Sequence, residues 1–269
     1  MPRVPAVHAA FLTTLTQAVE ADQRFLGLAI GGSYAVDEMD EFSDLDCILV
    51  LRPDVYAVPF ADGPDFSASL GTLIASFDGR HVGEPRLLVC LFDNPLLHVD
   101  LKFVDVDGLA RDRWEDPVVV FERAGELTAA LQRTPLTDHS VDVQWIEDRF
   151  WVWVHYEATK IARGELLEAH ASAAWFARIV LGPMVYANHG RRSDGVRRLE
   201  QRSPRLADAL ASTLACEHSP EAYLGSLRER TALYLKLREP FVARIELRSA
   251  AQAAALTYLA HIRHLLESR

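Results

Sequence analysis

Cysteine is scarce in this chain of 269 residues, which contains only three. Cys47, Cys90 and Cys216 lie far apart, and an odd number of widely spaced cysteines suits neither a disulfide framework nor a zinc site. Cys47 and Cys90 fall inside the apolar runs DCILVL and LLVCLF, where cysteine usually behaves as a small buried hydrophobe. The cysteine content therefore indicates a reducing compartment, and we expect a cytoplasmic protein.

Long apolar runs are lacking as well. No segment approaches the run of about 20 apolar residues that a membrane-spanning helix needs. The N-terminal stretch MPRVPAVHAAFLTTL also has no long apolar core followed by a small-residue cleavage site. We therefore expect neither a secretory leader nor a membrane partner.

Positive charge is in deficit. The sequence has 28 Lys and Arg residues against 38 Asp and Glu residues, a formal net charge of −10. So negative a surface repels a phosphate backbone and attracts small cations. We therefore expect that the protein does not bind extended nucleic acid unless a local basic patch attracts it. We also expect a monomer or a homodimer.

The spacing of apolar residues changes character part-way along the chain. It predicts a helix over 4–23, strands over 25–33, 46–51, 85–92 and 96–104, and a helix over 66–77. After about residue 105 the strand signals stop, and helical spacing recurs in 119–132, 142–163, 165–189, 204–216, 220–238 and 241–266. This pattern predicts an α+β protein with a small mixed sheet and flanking helices in residues 1–135, then an all-helical bundle in residues 136–269.

The most informative stretch is AIGGSYAVDEMDEFSDLDCILV, residues 29–50. A strand leads into Gly31-Gly32-Ser33, where the glycines allow backbone N–H groups to approach an anion and Ser33 is a good helix N-cap. Ten residues later, Asp44 and Asp46 flank Leu45 and are expected to point to one side of a strand. Two neighbouring carboxylates repel each other, so such a pair is usually held by a cation or used as an acid/base couple.

A third carboxylate has the same character. Asp100 lies on the polar side of an alternating strand, between His98 and Lys102, and could point toward the first two carboxylates. Three carboxylates near a glycine-serine turn suit two-metal phosphoryl chemistry, because Mg²⁺ is usually shared between carboxylates and substrate phosphates.

These motifs together resemble the signature of the polymerase-β-like nucleotidyltransferase superfamily. Ile30-Gly31-Gly32-Ser33 and Asp44-Leu45-Asp46-Cys47 match it position by position, and His98-Val99-Asp100-Leu101 resembles its third-carboxylate strand. The resemblance covers roughly the first 105 residues. It implies that Asp44 and Asp46 hold two Mg²⁺ ions, that Gly32 and Ser33 hold the triphosphate of ATP or another NTP, and that Asp100 is the third metal ligand or the general base.

The helix over residues 141–165 carries Glu157 on its apolar stripe, close to Lys160. One interpretation is a buried Glu157–Lys160 pair that braces a helical bundle. The other is a helix that closes the active-site cleft, with Lys160 on the nucleotide phosphates and Glu157 accepting a proton from the acceptor or binding its amine.

In size and two-domain plan the chain is similar to the aminoglycoside and lincosamide nucleotidyltransferases, whose helical domain supplies acceptor contacts. The resemblance implies transfer of NMP, AMP from ATP in the first instance, to a hydroxyl of a small antibiotic-like acceptor. A protein-modifying adenylyltransferase or toxin–antitoxin component is one alternative, since Arg149 and His155 loosely resemble the Arg/His motif of a helical ribonuclease family. A non-catalytic nucleotide-binding relative is the other.

Overall fold

A computed structural model describes residues 3–56, 63–214 and 217–268 of the chain, and Cys216 lies outside these ranges. The chain divides into two compact units, Met1–Asp138 and His139–Arg269. The first contains a mixed sheet with helices and the second is helical, so the predicted α+β class is confirmed. Each unit is described by itself.

Within the described residues, six strands of the first unit form one sheet. They are β1 Phe25–Ile30, β2 Leu45–Leu51, β3 Thr72–Gly79, β4 Glu84–Asp93, β5 Leu97–Val104 and β6 Val118–Glu122. Their order across the sheet is β3-β4-β5-β2-β1-β6. The β2–β5 pair is parallel and the other neighbours are antiparallel.

Six α-helices in the described residues of this unit accompany the sheet. They are α1 Ala6–Ala21, α2 Gly32–Ala35, α3 Pro53–Tyr56, α4 Gly63–Ala68, α5 Val106–Ala110 and α6 Glu126–Arg133. Apolar residues of α1 and α4 pack on one side of the sheet and form its main core. Residues of α5 and α6 pack on the other side, against Ala29, Val50 and Val104. Buried and partly exposed residues alternate along β2 and β5, because successive side chains of a strand point to opposite sides of the sheet.

Two predictions in this unit are wrong. Residues 66–77 do not form one helix: α4 ends at Ala68, and β3 begins at Thr72 as the edge strand. Strand signals do not stop at residue 105 either, because Val118–Glu122 forms β6 and only Glu126–Arg133 is helical. Both segments are short and rich in β-branched and aromatic residues, and pairing with a neighbouring strand prevails over a helical spacing of apolar residues.

The second unit is built from seven helices in its described residues. They are α7 Val143–Ala162, α8 Leu166–Phe176, α9 Gly182–Asn188, α10 Leu199–Arg202, α11 Pro204–Ser212, α12 Pro220–Arg238 and α13 Ser249–Glu267. A π-helical segment, Ala177–Leu181, joins α8 to α9. The last helix begins at Ser249 and not near residue 241 as predicted. None of the helices in the described ranges combines the length and apolar character that crossing a lipid bilayer requires.

Two buried ion pairs join α7 to α12 inside the helical unit. Glu147 accepts hydrogen bonds from Arg238 Nη1 (2.9 Å) and Tyr234 Oη (2.5 Å). Glu157, ten residues further along α7, pairs with Arg230, and both side chains are completely buried. Since the helices run in opposite directions, the two pairs fix one register between them.

The two carboxyl groups have opposite pKa shifts. Burial raises the pKa of Glu157 to about 7 against the attraction of Arg230. Burial acts in the same direction on Glu147, but hydrogen bonds from Tyr234 and Arg238 outweigh it and lower the pKa of that carboxyl. Glu157 Oε2 has no hydrogen-bond partner among the described residues, which is consistent with its weaker stabilisation as a carboxylate.

We predict that Glu157 makes the stability of the protein depend on pH. The pKa of Glu157 is higher in the folded protein, about 7, than its ordinary value of 4.5, so the folded state holds this proton more tightly. The free energy of unfolding should therefore fall as the pH rises from 4.5 to 7. Glu157→Gln should remove up to about 3 kcal/mol of this fall in urea denaturation curves.

Glu165→Gln is the matched control, because Glu165 pairs with Lys160 at a surface position that is 40% exposed. Glu165→Gln should leave the dependence of the free energy of unfolding on pH, between pH 4.5 and 7, as it is in the natural protein. Equal slopes for the Glu157→Gln variant and the natural protein would contradict the prediction.

Candidate active site

The glycine turn after β1 lies directly against Asp46. Gly31 N donates a hydrogen bond to the Asp46 carbonyl oxygen (2.9 Å). Gly32 has a φ of +56°, and a Cβ atom placed on it would lie 1.8 Å from Asp46 Oδ2. A side chain at position 32 would therefore clash with the carboxylate, so contact between the turn and the acid requires glycine there.

Ser33 has a different place from the predicted one. Gly31 is the N-cap of α2, and Ser33 is the second residue of this short helix, so the expectation that Ser33 caps the helix is wrong. Its Oγ is buried and has no hydrogen-bond partner among the described residues. An unsatisfied buried hydroxyl costs free energy unless a partner reaches it, and phosphate oxygen is a suitable partner.

The parallel register of β2 and β5 sets Asp46 beside Asp100. Both point to the side of the sheet opposite the main core, since Leu45, Cys47, Val99 and Leu101 are buried in that core. Asp44 lies one residue before β2 and is half-buried. The three predicted carboxylates therefore occupy one end of the parallel strand pair.

Asp44 also influences the pKa of Asp100. Burial raises the pKa of Asp100, His98 opposes the rise, and the charge of Asp44 adds to it. His98 Nε2 lies 3.1 Å from Asp100 Oδ1, so His98 is a hydrogen-bonding neighbour of this carboxylate. A half-buried carboxyl next to a second acid is a group that takes up a proton more readily than a solvated aspartate.

Metal binding by the three aspartates stays a prediction. In the parts of the chain that the structure describes, no group of three or more His, Cys, Asp or Glu side chains is arranged to hold a metal ion. Asp46 and Asp100 are direct cross-strand neighbours, but Asp44 does not complete a three-ligand set with them.

The residue before Asp44 is bonded to a side chain that was not predicted to lie near the site. His8 of α1 is buried, and its Nε2 lies 2.7 Å from the carbonyl oxygen of Ser43, the residue before Asp44. Because a carbonyl oxygen only accepts, Nε2 is the protonated nitrogen of this ring. The signal was present in the sequence: His8 interrupts the apolar stripe of the first helix, where a buried histidine needs a partner.

Glu157 and Lys160 belong to the helical unit, and the predicted pair between them is wrong. Glu157 pairs with Arg230, and Lys160 Nζ contacts Glu165 Oε2 at 2.6 Å. Helical spacing placed Glu157 on the buried side of α7 correctly, but its partner comes from α12, 73 residues away along the chain. A catalytic role for Glu157 and a nucleotide-binding role for Lys160 remain predictions.

The Arg149 and His155 side chains have different surroundings on α7. The Arg149 guanidinium lies 4.3 Å from the centre of the Trp145 ring, whereas the His155 ring packs against Tyr258 at 4.5 Å. Cys47 and Cys90 are both buried. Burial raises the pKa of both thiols, to about 11 for Cys90.

Comparisons with known proteins find matches among solved structures but none among family models or curated proteins. No protein-family model and no curated protein matches the chain. Among solved structures, it is similar to a nucleotidyltransferase-like protein from Exiguobacterium sibiricum, with 13% sequence identity and a TM-score of 0.37. The similarity covers 84% of this chain and 74% of the other.

We predict that Gly32→Ala damages the site more than an ordinary glycine replacement does. The added Cβ meets Asp46 Oδ2 in addition to the strain of a left-handed backbone. Gly125→Ala is the matched control, because Gly125 also has a positive φ (+72°) but nothing lies within 4 Å of its added Cβ.

Gly125→Ala should lower the free energy of unfolding by about 1 kcal/mol. Gly32→Ala should lower it by clearly more, as measured by chemical denaturation of the two variants. If both substitutions have the same effect, the close approach of Gly32 to Asp46 does not exist in solution.

Proposed function

We propose that this protein is a Mg²⁺-dependent nucleotidyltransferase that moves NMP, AMP from ATP in the first instance, to a hydroxyl group of a small molecule. The observation that supports it most is the contact between the Gly31–Gly32 turn and Asp46, with Asp100 as the next side chain across the sheet. This arrangement brings a turn suited to phosphates within reach of two carboxylates.

Gly32 and Ser33 would hold the triphosphate. The absence of a side chain at Gly32 lets the turn approach the Asp46 carboxylate closely, and the buried Ser33 Oγ lacks a hydrogen-bond partner among the described residues. Phosphate oxygens would satisfy this hydroxyl group, so the chemistry of the turn fits the ligand.

The carboxylates suit Mg²⁺, which is usually held by one or two carboxylates together with substrate phosphates and water. Asp46 with Asp44 or Asp100 supplies such a set of oxygen donors. When bound there, Mg²⁺ would neutralise charge on the transferring and leaving phosphate oxygens.

Asp100 is the best placed group to accept the proton of the acceptor hydroxyl. It is half-buried beside Asp46, and His98 at 3.1 Å orients its Oδ1. In the proposed reaction the acceptor oxygen forms a bond to the α-phosphorus of ATP, the bond from that phosphorus to pyrophosphate breaks, and the proton passes to Asp100. Glu157 has no part in this proposal, since its side chain is completely buried in the helical unit.

We predict that Asp46→Asn abolishes transfer without lowering stability. The substitution removes a metal ligand, so pyrophosphate release from ATP with Mg²⁺ should fall by at least about a hundredfold across a panel of aminoglycosides, lincosamides and other alcohols. The free energy of unfolding should change little, because asparagine has nearly the same size and shape as aspartate.

Asp107→Asn is the control, as Asp107 is an exposed acid of α5 in the same unit. It should leave pyrophosphate release as in the natural protein. Absence of Mg²⁺-dependent ATP binding by the natural protein, measured by calorimetry, would sink the proposed function.

A further inference from the structure

One straight row of side chains crosses four strands of the sheet on the side that carries the carboxylates. Phe77 of β3 pairs with Val89 of β4, Val89 pairs with Asp100 of β5, and Asp100 pairs with Asp46 of β2. Cross-strand partners point to the same side of a sheet, so these four side chains are successive neighbours. Adjacent strands lie about 4.8 Å apart, which makes the row from Asp46 to Phe77 roughly 14 Å long.

The outer half of this row belongs to an apolar surface. Ala75 of β3 and Leu91 of β4 form a second cross-strand pair next to Phe77 and Val89. We call these four residues the apolar shelf. Phe77 is 55% exposed, and Val89 and Leu91 are half-buried. The helices that cover this side of the sheet, α5 and α6, pack against Ala29, Val50 and Val104, so they leave the shelf uncovered.

The order of the strands determines on which side of Asp46 the apolar shelf lies and on which side the triphosphate would bind. The glycine turn follows β1, which lies on one side of β2, whereas β5, β4 and β3 lie on the other side. A triphosphate on Gly32 and Ser33 would thus occupy the β1 side of Asp46. The acceptor, whose hydroxyl must approach the α-phosphorus from the side opposite the leaving pyrophosphate, would extend over Asp100 and then over the shelf.

The chemistry of the shelf selects among acceptors. No charged residue occurs between Leu70 and Phe77. At its border, Lys102 Nζ and Glu84 Oε1 pair with each other at 3.0 Å. A polycationic amino sugar would find an apolar face here, whereas an aromatic or aliphatic ring would bury its surface against Phe77 and Val89.

We infer that the acceptor of this enzyme is a hydroxyl compound with an apolar ring system next to the reacting hydroxyl, and that the apolar shelf is its subsite. The inference rests on the proposed function and names its substrate class. A cationic acceptor would instead be attracted by the acidic loop, residues 37–41. Two acids of that loop already accept hydrogen bonds within the first unit: Asp37 from Arg3 N, and Asp40 from Phe42 N and Ser43 Oγ.

The inference is tested by binding of 2-naphthylmethanol to the full chain, with and without Mg²⁺ and ATP, measured by calorimetry. The natural protein should bind it, and Phe77→Ser should raise its Kd by about tenfold because much of the buried ring contact is lost. Ile74→Ser is the matched control: Ile74 lies on the same strand and is 52% exposed, but it has no partner in the row. It should leave the Kd unchanged.

Mg²⁺-dependent binding of ATP is measured on the same samples and should be equal in all three proteins. If the natural protein does not bind ATP in the presence of Mg²⁺, the proposed function fails. This outcome is independent of the result for 2-naphthylmethanol. When pyrophosphate release is measured with different acceptors, kcat/KM should increase in the order glycerol, benzyl alcohol, 2-naphthylmethanol. Phe77→Ser should reduce the differences in kcat/KM among these acceptors.

Three results would overturn the inference. The first is no binding of 2-naphthylmethanol, or equal Kd values for the natural and Phe77→Ser proteins. The second is faster pyrophosphate release with an aminoglycoside, unaffected by Phe77→Ser. The third is a dimer of the natural protein that Phe77→Ser dissociates in analytical ultracentrifugation, since the shelf would then be covered by a second copy.

Discussion

The parallel pairing of β2 with β5 is the constraint on which the rest of the first unit depends. It sets residue 46 opposite residue 100 and thereby determines that two carboxylates are neighbours on one side of the sheet while leucine, valine and cysteine fill the core on the other. Because side chains alternate along a strand, a one-residue shift of either strand would bury the acid of that strand and expose its core residues. The apolar core therefore maintains the acidic site: the free energy that holds Leu101 and Leu45 inside also holds Asp100 and Asp46 outside.

The sequence alone revealed the parts of this arrangement that depend on local periodicity. The alternation along β5 separated Asp100 from its apolar neighbours, and the glycines after β1 indicated a turn. Pairing between strands is not local, however. Nothing in the sequence states that β2 lies beside β5, so the cross-strand pairing of Asp46 with Asp100 required the structure. The edge strand β3 was mistaken for a helix for the same reason, since its identity comes from pairing with β4.

A similar division between local and non-local information applies to the buried charges. Helical spacing showed correctly that Glu157 lies on the apolar stripe of α7, but it suggested a partner three residues away. The actual partner, Arg230, belongs to α12, and Lys160 turns to Glu165 at the surface. His8 is a comparable case in the first unit, where the position of the ring was readable and its bond to Ser43 was not. Polar groups inside a core take the partner that the tertiary fold brings to them.

The two carboxylate–guanidinium pairs between α7 and α12 restrict how this sequence can change. In each pair the partners belong to different helices, and replacing either one alone would strand a charge away from water. Positions 147 and 238 are therefore expected to change together during evolution, and so are positions 157 and 230. A related protein with an apolar residue at position 157 should carry an uncharged residue at position 230. Covariation between these positions would therefore identify proteins that share this helical bundle.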